Sequence, residues 1–109
     1  METTINKGSK FNLEGAVAYA AQAVVSKTVV KKDTGTVTLF AFDEGEGLSE
    51  HTAPFDAMVH IMDGEAEVKI GGTPHVMKAG EAIIMPAGIP HALKAITRFK
   101  MMLVMIKSS

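Results

Sequence analysis

The sequence predicts an all-β fold, a sandwich or a barrel, on three observations. Turn signals recur after residue 34: Gly45-Glu46-Gly47, Asp63-Gly64, Gly71-Gly72, Ala79-Gly80 and the segment Pro86 to Pro90. Between them lie short apolar or alternating runs, the pattern of strands about 8–12 residues apart. No strand–helix alternation follows residue 34, which argues against a nucleotide-binding α/β arrangement. Gly45-Glu46-Gly47 also lacks the third glycine and the following helix that a phosphate-binding loop requires.

The elements follow in order. Residues 1–12 read as a loose arm. Gly15 to Ala23 is rich in alanine and helical by propensity, whereas Val24 to Val30 beside it is β-branched and reads as a strand. Thr36 to Phe42 alternates, with Val37, Leu39 and Ala41 on one face. Ala57 to Met62 is apolar on both faces, so a strand buried on both sides is expected. Asp63-Gly64 is a tight turn, and Glu65 to Ile70 then alternates cleanly, Ala66, Val68 and Ile70 against Glu65, Glu67 and Lys69. Pro74 to Lys78 returns from the Gly71-Gly72 hairpin. Glu81 to Met85 is stopped by Pro86, and the proline–glycine segment after it forms a rigid turn. His91 to Thr97 and Arg98 to Lys107 complete the set. The core barrel is expected over 36–106, within one domain spanning 1–109.

Length and composition limit the function. A chain of 109 residues suffices for one domain, and 47% hydrophobic residues allow it a real core. The net charge is -1 with no basic run, so nucleic acid and anionic membranes are poor partners. The absence of cysteine removes disulfides, thiolate zinc sites and cysteine nucleophiles, and fits a reducing cytoplasm, the expected location. Met1 to Lys10 is polar and unlike a signal peptide. No run approaches the ~20 apolar residues that span a bilayer. Met58, Met62, Met77, Met85, Met101, Met102 and Met105 all sit in apolar segments and read as core and interface filler. The sequence does not cluster them beside histidines, as a soft-metal site requires.

Two segments resemble the two signatures of the cupin superfamily. The second signature is nearly complete: Gly80, five residues, Pro86, Ala87, Gly88, two residues, His91, with Ala95 where the family usually has asparagine. The first is degraded. Anchored on Gly64, the family's glutamate falls on Ala57, its second histidine on Ala53 and its first on His51, with Gly45 or Gly47 as the leading glycine and Gly45 at the regular spacing. The resemblance covers roughly residues 36–106 and implies a small antiparallel jelly-roll barrel. It also implies a metal site in the lumen, of whose four usual ligands His51 and His91 remain.

Of the four histidines, His91 has the strongest claim as a ligand and His51 the next. His60 has two readings. In regular strand parity, Ala57, Val59 and Ile61 share the lumen face and His60 points away. A bulge near Pro54 and Asp56 would rotate His60 inward as the third ligand. His75, beside Pro74, reads as solvated. Asp56 is a ligand only if its strand bulges. Ser49-Glu50-His51 has the residue types of a hydrolase triad, but adjacent residues in an extended chain face opposite ways.

The first functional expectation is a divalent transition metal (zinc, nickel, iron or manganese) held by His51, His91 and His60. It would sit in the barrel mouth with a small polar or carboxylate-bearing molecule, whose oxygen it would polarise. Among cupins such a site serves isomerase, lyase and dioxygenase chemistry. The second expectation is a non-enzymatic module that binds or senses a sugar-like molecule without metal. A homodimer is expected in either case, because residues 101–106 are apolar on both faces and one face is left to cover.

Overall fold

A computed structural model describes residues 5–107. After a short 3-10 turn at Glu14–Ala16 come nine strands: β1 (Val24–Lys32), β2 (Gly35–Phe42), β3 (Gly47–His51), β4 (Asp56–Asp63), β5 (Glu65–Ile70), β6 (Thr73–Lys78), β7 (Ala82–Met85), β8 (His91–Ala95) and β9 (Phe99–Ile106). They form a five-stranded sheet ordered β1-β2-β9-β4-β7 and a four-stranded sheet ordered β3-β8-β5-β6. Every pairing is antiparallel. The two facing sheets are the jelly roll that the signatures imply.

The five turn signals all fall at strand junctions, with Gly47 opening β3 and Asp63 closing β4, and glycine or proline sets the reversal there. Beyond the turn at Glu14–Ala16, the alanine-rich stretch up to Ala23 forms no helix. It has too few residues before the β-branched run to propagate one. Gly47–His51, which carries no strand pattern in the sequence, is β3, held by pairing with β8 rather than by any apolar alternation of its own.

The inner faces of the two sheets share one core, which includes Phe42, Val59, Ile61, Ala66, Val68, Leu93, Phe99 and Met101. Phe42 and Phe99 stack at 4.4 Å and fill one end of the barrel. On the outside of the five-stranded sheet, Leu39 and Ala41 form a second cluster with Ala16 and Val17. Part of the segment expected to be a loose arm joins this cluster, since Ile5 and Phe11 pack against it. Residues 1–4 lie outside the described residues. The N-terminal segment therefore covers part of the outer face of that sheet.

Thr36 on β2 faces Met105 across the sheet, and its hydroxyl is buried with no hydrogen-bond partner. A buried donor without an acceptor costs free energy that an isosteric methyl group would recover. Thr36→Val is expected to stabilise the fold by about 1 kcal/mol, a rise of about 4 °C in melting temperature. Thermal denaturation followed by circular dichroism checks this.

Candidate metal centre

The site begins with the turn that precedes β8. Pro86 to Pro90 is pinned on three sides. The Ala87 N–H donates to Asp56 Oδ1 at 2.9 Å. The Gly88 N–H donates to the Ala53 carbonyl and the Gly71 N–H to the Pro90 carbonyl, each at 2.8 Å. Asp56 is thus a positioning residue for the turn, a role that its place in the sequence does not suggest. Strand β8 then leaves the turn with His91, Leu93 and Ala95 facing inward, all buried. His91, only 4% exposed, is the one buried polar or charged residue among the described residues.

His51 reaches the same place from β3, and a register shift brings it there. Leu48 faces Leu93, yet His51 faces His91, so β3 carries one extra residue between the two pairs. Regular alternation from the inward-facing Leu48 would have put Glu50 opposite His91 and turned His51 outward. With the bulge, the His51 and His91 rings meet edge to face at 4.3 Å, and their Nε2 atoms lie 3.1 Å apart.

The hydrogen bonds assign the tautomers. His51 Nδ1–H donates to the Ser49 carbonyl at 2.7 Å, and His91 Nδ1–H donates to the Ile89 carbonyl at 3.3 Å. A carbonyl only accepts, so each Nδ1 carries the proton and each neutral ring keeps an Nε2 lone pair. With both Nδ1 atoms protonated, the two Nε2 lone pairs lie side by side at 3.1 Å, where one ion set off the line between them could accept both. Burial, and secondarily the His51 ring, lower the pKa of His91 from its ordinary value; the Ile89 carbonyl opposes this. Protonation of the His91 ring is thus disfavoured. The spacing is compatible with a metal: two metal–nitrogen bonds of about 2.0–2.1 Å at about 90–110° set the nitrogens about 2.8–3.4 Å apart.

Behind the pair lies a cavity of about 50 Å³. It is lined by the two histidines, by Ala53 and Ala57, and by Met85, Met101 and Met105 among others. The alanines are the two positions where the first signature normally carries ligands. Among the described residues, no group of three or more histidines, cysteines or carboxylates is placed to hold a metal.

His60 is not brought to the pair. Strand β4 pairs regularly from Asp56 through Ile61 and its irregularity falls beyond His60, between Ile61 and Asp63. Ala57, Val59 and Ile61 therefore face inward, and His60 lies on the outer face beside Phe11 to Glu14. The inward rotation of His60 is corrected on this point, because the bulge that matters sits in β3 rather than near Asp56. His75 is half-buried, opposite Val68 on edge strand β6, and does not line the cavity. Sequence reasoning missed the methionines as a group. Their signal was parity: Met101 and Met105 share the inward face of β9, and Met85 is the residue just before Pro86.

The comparisons agree with this architecture. The model of the cupin domain family matches residues 38–107, and the chain belongs to that family. A conserved protein of unknown function from Streptococcus pyogenes is 35% identical, with a TM-score of 0.92 over 99% of this chain and 95% of that one. A cupin 2 conserved barrel domain protein from Leptotrichia buccalis is 41% identical, with a TM-score of 0.86 over 89% of this chain. The match spans 47%, about half, of the Leptotrichia chain. A cupin superfamily protein from Desulfitobacterium hafniense shares the fold at 22% identity, with a TM-score of 0.90 over 99% of both chains. No curated protein matches this chain. No helix among the described residues is long and apolar enough to cross a membrane.

Proposed function

We propose that this cupin binds a transition metal between His51 and His91 and presents it to a small polar or carboxylate-bearing molecule at the barrel mouth. The supporting observation is the pair of Nε2 lone pairs side by side at 3.1 Å, with both Nδ1 protons committed to backbone carbonyls. Bound there, a metal would supply Lewis-acid polarisation of a ligand oxygen. His51 is exposed at the rim and His91 buried in the wall, so an ion between them would be reached from the mouth. The cavity of about 50 Å³ favours a metal with one small ligand over a sugar-like guest, since small-molecule pockets usually exceed about 300 Å³. A single domain and a cytoplasmic location, the latter resting on the cysteine-free sequence, belong to the same proposal.

Titrating zinc, nickel, ferrous iron and manganese into metal-free protein tests the reading. One equivalent of at least one of them, or of another transition metal, is expected to bind at micromolar concentration, and a protein that takes no transition metal at all would sink the proposal. Protons compete with metal for Nε2, so affinity should fall with falling pH. Because burial lowers the His91 pKa from its ordinary value, the contribution of His91 to that fall should set in below the ordinary histidine range. Zinc affinity measured from pH 5 to 8 checks this; an affinity independent of pH would exclude imidazole ligands.

Homodimerisation is the second part of the proposal. An apolar row crosses the outer face of the five-stranded sheet in strand order: Val30 on β1, Val37 on β2, Val104 on β9, Met58 on β4 and Ile84 on β7. Ile84 is 60% exposed and Ile106, beside the row, 70%. The N-terminal segment covers Leu39 and Ala41 on this face and leaves the row open. A continuous apolar stripe across the outer face of a sheet is suited to pairing with a second copy. Light scattering at micromolar concentration should report a dimer, and Val104→Lys should convert it to monomer. A monomeric wild type would refute this part.

A further inference from the structure

We infer that the preferred occupant of this site is monovalent copper, held by His51 and His91 together with thioether sulfur from Met85 and Met105. The inference rests on the two-histidine reading above and specifies its metal. Met85 and Met105 are the two lateral neighbours of Ala57: Ala57 faces Met85 on β7 and Met105 on β9. Directly opposed residues have Cβ atoms about 4.5–5.5 Å apart. The alanine methyl at position 57 thus leaves its space to two long, flexible thioether chains, one from each side. Both methionines line the cavity onto which His51 and His91 open, and Met85 is buried.

Charge points the same way. The donors around the cavity are neutral imidazoles and neutral thioethers, and the acidic position of the first signature is Ala57. Removing an ion from water costs free energy that rises as the square of its charge, so even at this partly buried site a divalent ion without a carboxylate has a desolvation cost about fourfold that of a monovalent one. Thioether sulfur is a soft donor. It adds little for zinc, nickel, iron or manganese and much for monovalent copper. Four neutral soft or borderline donors suit a monovalent ion with no strong geometric demand.

The test uses the intact chain under anaerobic, reducing conditions, with Cu(I) competed against a chromogenic chelator and zinc measured in parallel. Wild type is expected to bind one Cu(I) per chain at least about a hundredfold tighter than zinc. The double variant Met85→Leu with Met105→Leu conserves volume, so the barrel should persist. It should lose at least about tenfold in Cu(I) affinity and hold zinc affinity within about threefold. X-ray absorption of copper-loaded wild type should show sulfur as well as nitrogen neighbours, a readout that does not depend on the variant folding. Copper no tighter than zinc, or a shell of nitrogen and oxygen alone, overturns the inference while leaving the two-histidine site standing. Failure of every metal, copper included, removes both.

Discussion

Replacing His91 by alanine is expected to abolish metal binding while leaving the barrel folded. The site has two imidazoles, and removing one leaves His51 alone at an exposed rim. A single imidazole with no carboxylate partner holds a divalent ion weakly, so affinity should drop at least about a hundredfold. The barrel should survive because His91 is a poor contributor to stability: it is buried, its pKa is depressed, and its Nε2 faces another lone pair. The turn before it is held by Asp56, Ala53 and Gly71, so losing the long 3.3 Å contact from His91 to the Ile89 carbonyl should leave it in place. Calorimetric titration beside a far-ultraviolet dichroism spectrum separates lost binding from lost fold. His60→Ala is the matched control and should bind within about twofold of wild type, since its ring lies on the other face of β4. Equal losses in the two variants would show that the site has been wrongly assigned.

Gly64→Ala is expected to destabilise the fold severely. Gly64 joins β4 to β5 with φ +77°, in the left-handed region that residues with a side chain enter at a cost of about 1–2 kcal/mol. A Cβ there would also collide with the Arg98 carbonyl oxygen and lie 2.9 Å from Phe99 Cα and Cβ. Those atoms belong to backbone and to the root of a buried side chain, so relief requires moving the start of β9. The total should reach at least about 3 kcal/mol, a large share of the roughly 5–15 kcal/mol that stabilises a domain. Gly72→Ala isolates the conformational part. Its φ is +85° and nothing lies within 4 Å of the added Cβ, so it should cost only about 1 kcal/mol. Denaturant unfolding of both variants gives the comparison. Equal midpoints would mean that the close approach of Gly64 to β9 has no energetic weight.

The contrast between these glycines bears on what the chain makes legible. The turns could be read directly, because glycine and proline encode backbone conformations locally and need no partner to do so. The second signature was legible for the same reason: the Gly80 to Pro90 run builds its turns from its own residues and delivers His91 to the barrel wall. Strand β5 was legible through its clean alternation. Strand β3 was not, because Gly47-Leu48-Ser49-Glu50-His51 has a single apolar residue and becomes a strand only by pairing with β8.

The sequence by itself determined an all-β chain, the position of its turns, its membership in a motif class and the candidacy of His51 and His91. Only the tertiary structure decided which residues share the lumen. Facing in a strand has period two, so one extra residue reverses every side chain after it, and the location of that residue depends on the partner strand. The bulge before His51 turned it toward His91, while the regular pairing of β4 kept His60 outside. The gathering of Met85, Met101 and Met105 around the same cavity is likewise a property of pairing. These residues lie on two strands, flank Ala57 or sit further along the β9 face, and meet only when β7, β4 and β9 align. Local chemistry fixes turns because it acts between neighbours in the chain, whereas a binding site is made by register, which is set between strands far apart in it.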